Sequence, residues 1–392
     1  MNQPPSNKSK LPLTAIIIGI VSLFSDLSTE MAYPLLPLFI STLPGASPIY
    51  LGLIEGVAEA TASVITAFSG WISDWFQKRK TIAVLGYGMT TIAKPVVALA
   101  TGIPMVLTGR FMDRFGKGIR SAPKDTILAN VATEENRGQI FGFERMMDSA
   151  GAVLGPACAI VLFYQFNLSL QSIFLLTVIP SILAFACILW VKEPEVQTNK
   201  KRAFSLKGLS KEFWIFLAIN AVFNLGNSTN TFLILKASNE LKMGVAASLG
   251  CYMLYNAVYS IGSYPAGVVS DRFGRKNILL VGFIIFALTY FGFAQVQTAF
   301  WVWILFAFYG IYPALTDGVG KAMAVDLTTP EVRATAIGLF AASVGLTRIP
   351  ASYLGGLLWE KYSSSATFYF GAITALIAFI LLLGFNPKKR EA

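Results

Sequence analysis

GRFMDRFGKGIRSAPKD, residues 109–125, carries Arg110, Asp113, Arg114, Lys117, Arg120, Lys124 and Asp125 where the flanking hydrophobic pattern calls for a membrane-spanning helix. At about 3.6 residues per turn each residue advances about 100°, so all these charges fall within an arc of roughly 140°. Phe111, Phe115, Ile119 and Ala122 lie on the other side. Charge in hydrocarbon is costly, and ionisable residues inside a helix bundle face one another or a water-filled cavity. The stripe is therefore expected to wall an aqueous path. The alternative, an amphipathic helix on the cytoplasmic membrane surface, is disfavoured because the spans on either side leave this segment no place except inside a bundle.

The rest of the chain supplies that bundle. Hydrophobic residues make up 55% of the 392 and charged residues 13%, against about 25% charged in soluble proteins. A bilayer core needs about 20 apolar residues per helix. Twelve such runs are present, at 11–41, 48–73, 81–103, 105–130, 138–165, 168–191, 211–239, 245–270, 277–297, 299–325, 333–359 and 365–385. The longest polar interruption, KEPEVQTNKKRAFSLKGLSKE at 192–212, divides them into six and six. This gives an N-terminal bundle over 1–191, a cytoplasmic linker over 192–212 and a C-terminal bundle over 213–392.

Lysine and arginine placement fixes the orientation. With the N-terminus inside, cytoplasmic segments hold nineteen of the 31 basic residues, and the outer loops hold only Lys242 and Lys361. Both termini are thus cytoplasmic. The same placement accounts for the net charge of +10; no basic tail or interleaved aromatic motif points to nucleic acid. The short polar N-terminus with Lys8 and Lys10 leads into a run that is too long for a signal peptide and has no small-residue cleavage site. Cys158, Cys187 and Cys251 lie in apolar spans without paired spacing and read as small hydrophobes. Histidine is absent, so proton chemistry falls to carboxylates.

The halves repeat. Gly70-Trp-Ile-Ser-Asp74 ends span two, and Gly267-Val-Val-Ser-Asp271 ends span eight 197 residues later. Arg137 and Gly142 open span five, and Arg333 and Gly338 open span eleven 196 residues later. Both copies use the same membrane face, so the repeat is parallel, with an axis along the membrane normal.

Gly267-Val-Val-Ser-Asp271-Arg272-Phe-Gly274-Arg275-Lys276 resembles the signature loop of the major facilitator superfamily. The first copy, GWISDWFQKRK at 70–80, keeps Gly70, Asp74, Lys78 and Arg79 but has Trp75 and Gln77 where the family has arginine and glycine. The resemblance covers the whole chain. It implies an all-α membrane protein of twelve helices in two six-helix bundles, with these loops and Asp125 latching a cytoplasmic gate; a topology anchor is the simpler reading of the loops. Arg110 resembles the embedded arginine of the family's drug/proton antiporters, and Gly151-Ala-Val-Leu-Gly155-Pro156 resembles their antiporter motif, with Ala157 and Cys158 where a further glycine is common.

Carboxylates occur one turn apart at Asp26 and Glu30, Glu55 and Glu59, and Glu144 and Asp148. Like charges at this spacing repel, so such a pair tends to hold a proton and release it when water or a cation arrives. Asp26 and Glu30 are the first choice for proton coupling, since Tyr33, Pro34 and Pro37 follow where a helix breaks its regularity. The competing role is to neutralise Arg110 or Lys117. Glu144 and Asp148 are the second choice, with pairing to the stripe as their competing role. Glu55 and Glu59 lie nearer the outer mouth, where a solvated vestibule is the competing explanation to proton coupling. Solute contacts are expected from Arg110, Arg114, Lys117, Arg120, Lys94, Tyr33, Lys236, Tyr255, Asn256 and Arg348, with charge recognition mostly in the first half. The second half would supply shape through Asn220, Asn224, Asn227, Tyr252, Tyr259, Tyr309 and Tyr312.

Gly116-Lys117-Gly118 lacks the frame of a nucleotide-binding loop, and no nucleophile–base or metal constellation suggests an enzyme. The expectation is a monomeric, cofactor-free, multi-pass protein of the inner (plasma) membrane, coupling protons to export of a small polar or anionic organic solute such as a carboxylate or siderophore. The alternatives are a multidrug/proton antiporter for lipophilic cations and a non-transporting sensor or lipid-handling scaffold.

Overall fold

The computed structural model describes residues 11–76, 78–132, 137–192, 209–329 and 332–386, without the side chains of 70–76, 137–139, 142, 333 and 334. Spans one to twelve are Leu13–Ser41, Pro48–Phe76, Arg79–Ala98, Ile103–Val131, Arg137–Tyr164, Leu170–Trp190, Lys211–Gly226 continued by Thr231–Leu235, Val245–Phe273, Arg275–Gln295, Ala299–Asp326, Arg333–Lys361 and Ser364–Gly384. Among the described residues nine helices are long and apolar enough to cross a membrane by composition alone. Span four falls short because of its charge stripe and span seven because it breaks at 227–230. Span eight falls short because tyrosine, serine and glycine dilute its hydrophobicity.

Prolines shape span one. Pro34 and Pro37 remove two amide donors, and the helix tightens to a 3₁₀ turn at Tyr33–Leu35 before resuming at Leu36. The irregularity expected after Glu30 is therefore present.

Spans one to six pack mainly on each other, as do spans seven to twelve. The two sets meet along two seams, span two on span eleven and span five on span eight. The first seam is backbone on backbone. A Cβ added to Gly52 would collide with the Ser352 carbonyl, and one on Gly356 with the Pro48 carbonyl; one on Gly56 would lie 3.1 Å from the Arg348 carbonyl. Small residues permit such close approach in membranes, where helices gain no hydrophobic drive from meeting.

The second seam closes at its outer end, where the Ala246 amide donates to the Tyr164 hydroxyl at 3.3 Å. Its inner part is open. Ser263, Asp317 and Lys321 are exposed there, while the Ser260 hydroxyl reaches Ser149 of span five at 3.4 Å. Exposed charge at this depth marks water, not lipid. The crevice between the two helix sets is thus shut outside and open toward the cytoplasm.

In the second half an aromatic core fixes the inward-facing tyrosines. Phe223 stacks on Phe283 at 4.2 Å and Phe286 on Tyr290 at 4.0 Å. Tyr309 and Tyr312 pack against this group, 4.8 Å apart.

Candidate functional site

The stripe on span four divides into an outer part that is buried and paired, beside a pocket of about 310 Å³ lined also by Tyr33 and Phe174, and an inner part whose charges are only partly paired. In the outer part Arg110 donates from Nε and Nη2 to the two oxygens of Glu55, at 2.8 and 2.9 Å. Its Nη1 is 3.5 Å from Asp113, which also holds Lys94 Nζ at 3.2 Å. Lys94 reaches Thr29 Oγ1 at 3.4 Å. Span three comes this close because Gly86 and Gly116 meet backbone to backbone; a Cβ on either would lie 2.6 Å from the other's carbonyl. One turn below, Arg114 pairs with Glu59 at 3.3 Å. Both guanidinium groups lie over the Tyr33 ring, 5.7 and 5.9 Å from its centre.

This corrects two expectations. Glu55 does not stand in a solvated vestibule: it is fully buried, at 0% exposure. Nor is the outer stripe the wall of a water path, since Arg110, Asp113 and Arg114 are buried and paired. A guanidinium in low dielectric is tolerable when an opposite charge and hydrogen bonds surround it; Glu55 provides both to Arg110, and Glu59 provides the opposite charge to Arg114. The signal for this was in the spacing: Glu55 and Glu59 are one turn apart, and so are Arg110 and Arg114. Two neighbouring helices with matched spacing make a two-rung ladder.

The inner part differs. Arg120 donates to Thr90 Oγ1 at 2.7 Å and Ser25 Oγ at 2.6 Å, and lies over the Tyr87 ring at 4.2 Å. Lys124 binds Glu144 at 2.6 Å and Ser22 at 3.1 Å. Lys117 is half-buried, and its ammonium makes no hydrogen bond or ion pair among the described residues. It lines a cavity of about 300 Å³ shared with Asp26, Arg120 and Asp148. Glu144 is thus a partner of the stripe, whereas Asp148 pairs with Arg145 at 3.1 Å and still borders the cavity.

Glu30 lies one turn from Asp26 and accepts a hydrogen bond from the Tyr252 hydroxyl of span eight at 3.0 Å. The bond crosses between the two halves. Tyr33 meets Tyr252 ring to ring at 5.6 Å, also across the interface. Tyr255 continues the aromatic file to Tyr309 at 5.1 Å, and half-buried Asn256 is its neighbour on span eight. Arg348 lines a separate cavity in the second half. Lys236 sits apart from all of these, near the outer end of span seven, held by Glu240 at 3.1 Å and Ser364 at 2.9 Å.

The GxxxGP stretch has a positional role. A Cβ on Gly151 would lie 3.0 Å from that of Asp26, and one on Gly155 would lie 2.9 Å from that of Glu30 and 2.7 Å from the Met31 amide. The two glycines seat span five against the turns that carry the carboxylates. Gly155→Val is therefore expected to lower stability by about 1–3 kcal/mol through overpacking, read as a shift in thermal unfolding of the purified protein, because backbone cannot yield as a side chain can.

Of the loop residues, Gly70 and Asp74 lie outside the described side chains. Lys78 is exposed and Arg79 buried. Asp125 is exposed at the inner end of span four. In the second copy Gly274 has φ +88°, a conformation suited to glycine, and turns the chain between spans eight and nine. Arg275 then pairs with Asp326 at 3.0 Å and lies 3.8 Å from Asp271. A Cβ on Gly267 would meet nothing, its carbonyl accepts from the Ser270 hydroxyl at 2.7 Å, and Arg272 is exposed. The described loop contacts stay within one half.

A profile of the Major Facilitator Superfamily matches residues 18–257 and 215–392. Over 384 residues the chain is 35% identical to an MFS-type transporter of Methanocaldococcus jannaschii, covering 96% of each. It is 34% identical over 157 residues to Multidrug resistance protein 1 of Bacillus subtilis, covering 39% of each. Its backbone is similar to a mutant form of the nucleoside transporter NupG, with a TM-score of 0.81 at 16% identity over 95% of this chain and 99% of that one. The chain belongs to the major facilitator superfamily and is a membrane transporter of that type.

Proposed function

We propose that this transporter is a proton-coupled antiporter that works by alternating access and exports a small polar organic solute. The observation that carries the reading is the place of Glu30. It is bonded across the halves to Tyr252 and one turn from Asp26, whose cavity holds the unpaired Lys117. A carboxyl in that position changes partners whenever the halves part, so its protonation and the conformational equilibrium are linked.

The sign of the solute sets the direction of coupling. A solute offering hydrogen-bond donors or positive charge competes with protons for Asp26 and Glu30, which gives exchange. An anion drawn to Lys117 favours the protonated carboxyls, and its protons travel with it. Glu55 and Glu59 already occupy Arg110 and Arg114, which leaves Lys117, Arg120 and Arg348 as the basic groups for an anionic moiety. Exchange therefore goes with a polar solute better than with a fully anionic one.

A second reading, export of lipophilic cations, is supported by the similarity to Multidrug resistance protein 1 and by the tyrosine file on spans eight and ten. Proteoliposomes containing a trapped pH indicator separate the readings. Solute entering from one side is expected to drive protons out of the other compartment in fixed ratio. Protons moving with the solute would replace antiport by cotransport, and no proton movement with any transported solute would remove coupling altogether.

A further inference from the structure

The second half contains a cavity of about 450 Å³, reached between spans seven, nine, ten and eleven. Along one wall run Asn220, Asn224 and Asn227, at the spacing that puts side chains on one helix face. They form a ladder. Asn224 donates to Asn220 Oδ1 at 2.7 Å and Asn227 to Asn224 Oδ1 at 3.5 Å; the Tyr312 hydroxyl donates to Asn227 Oδ1 at 3.2 Å. Phe216, Phe223, Phe283 and Phe340 make the apolar side.

Two opposite charges line this same space without meeting. Arg348 is half-buried, and its guanidinium makes no hydrogen bond or ion pair among the described residues. Asp317 is exposed to the cavity's inner approach and accepts a hydrogen bond from Tyr259 at 3.0 Å. Their surroundings do not satisfy them. Glu59 faces Arg348 from span two but is already held by Arg114 at 3.3 Å, and Lys321, one turn below Asp317, is exposed and forms no ion pair with it. Ionised groups at this depth persist when they are paired or used. Elsewhere Arg110, Arg114, Lys94 and Lys124 each have a carboxylate, whereas Lys117 in the first-half cavity, like Arg348, has none among the described residues.

We propose that this cavity is the binding site for a zwitterionic, amino-acid-like solute, with its carboxylate on Arg348, its ammonium on Asp317 and its apolar remainder against the phenylalanines. A plain anion would meet Asp317 and a plain cation would meet Arg348. A molecule carrying both charges completes the pair that the protein leaves open. The asparagine ladder adds neutral donors and acceptors that suit either end. Arg348 also ties the site to the gate, because its carbonyl lies at the Gly56 contact of the glycine seam. The site inverts the sequence-based expectation that charge recognition belongs to the first half. It rests on the transporter reading above and narrows the solute class.

The test is calorimetric titration of the full-length protein in nanodiscs at one fixed pH. The probes are three zwitterions of rising size (glycine, L-serine and L-phenylalanine), with phenethylamine and 3-phenylpropionate as the single-charge counterparts of the last. A charge-assisted contact is worth about tenfold or more in affinity, so at least one zwitterion is expected to bind, and L-phenylalanine about tenfold or more tighter than either counterpart. Arg348→Gln is expected to weaken the zwitterion and 3-phenylpropionate while sparing phenethylamine; Asp317→Asn is expected to do the reverse. Phenethylamine binding as tightly as L-phenylalanine, or no zwitterion binding at all, overturns the proposal. The comparison uses the wild-type protein, so it decides even where a variant fails to fold. Zwitterion binding without solute-driven proton flux would sink the coupling reading and keep this site. Proton flux with another solute and no zwitterion preference would do the opposite.

Discussion

Glu55→Ala destabilises the folded transporter by about 3–5 kcal/mol, the cost of leaving a buried charge without its partner. Around Glu55 the buried cluster holds two cations, Arg110 and Lys94, and two anions, Glu55 and Asp113. Removing Glu55 leaves an excess positive charge at a site where Arg110 is 5% exposed. Water cannot replace the lost carboxylate without opening the packing of spans two and four. Arg110→Met is expected to be similarly costly, since it leaves Glu55 unpaired. The double variant Glu55→Leu with Arg110→Met removes both charges and keeps Asp113 with Lys94. It should recover most of the loss, as an apolar replacement of a buried pair is often neutral. The measurement is a double-mutant cycle on unfolding in detergent, closed with the single variant Glu55→Leu. Additive losses would show that the pair does not act as a unit and that the ladder is incidental.

Glu30→Gln, in contrast, is expected to leave the fold intact and abolish proton-coupled flux. Glutamine has nearly the volume of glutamate, and its carbonyl oxygen accepts the Tyr252 hydroxyl as the carboxylate does at 3.0 Å. What it cannot do is ionise. If Glu30 is the coupling group, the variant still exchanges labelled solute for unlabelled across the membrane but no longer concentrates it against a proton gradient. Asp26→Asn is expected to give a partial version of the same defect, because Asp26 borders the cavity of Lys117 and Asp148 rather than the interface bond. Gradient-driven accumulation at wild-type level in both single variants and in the double would remove the assignment.

The architecture was readable because it is set by quantities that a sequence displays directly. Span length, the cytoplasmic bias of lysine and arginine, and the paired loops at Gly267 and Gly70 each depend on residue type and position alone. The site was readable only in part. Asp26, Glu30, Lys117 and Tyr33 were named from one helix at a time; Glu30 and Tyr33 touch Tyr252 of the other half, while Asp26 and Lys117 line a cavity within the first half. The partners of the arginines were not named, although matched spacings at 55 and 59 and at 110 and 114 were on the page. Periodicity shows which residues share a face, but not which face of a second helix lies opposite. For the same reason Arg348 was named as a solute contact without Asp317 beside it. Their significance arises from being near one cavity and yet unpaired, a property of three dimensions.

The seam between spans two and eleven bears on the kinetics of the cycle. Where side chains interlock, two surfaces part only after rotamers withdraw from their sockets, and that reshuffling carries a large enthalpic barrier. Gly52, Gly56 and Gly356 present bare main chain instead. Such faces separate like smooth plates, giving up diffuse dispersion contacts that lipid or water can take over. Turnover in this protein should accordingly be governed by reprotonation or solute release, with rocking of the halves comparatively quick and only weakly temperature dependent.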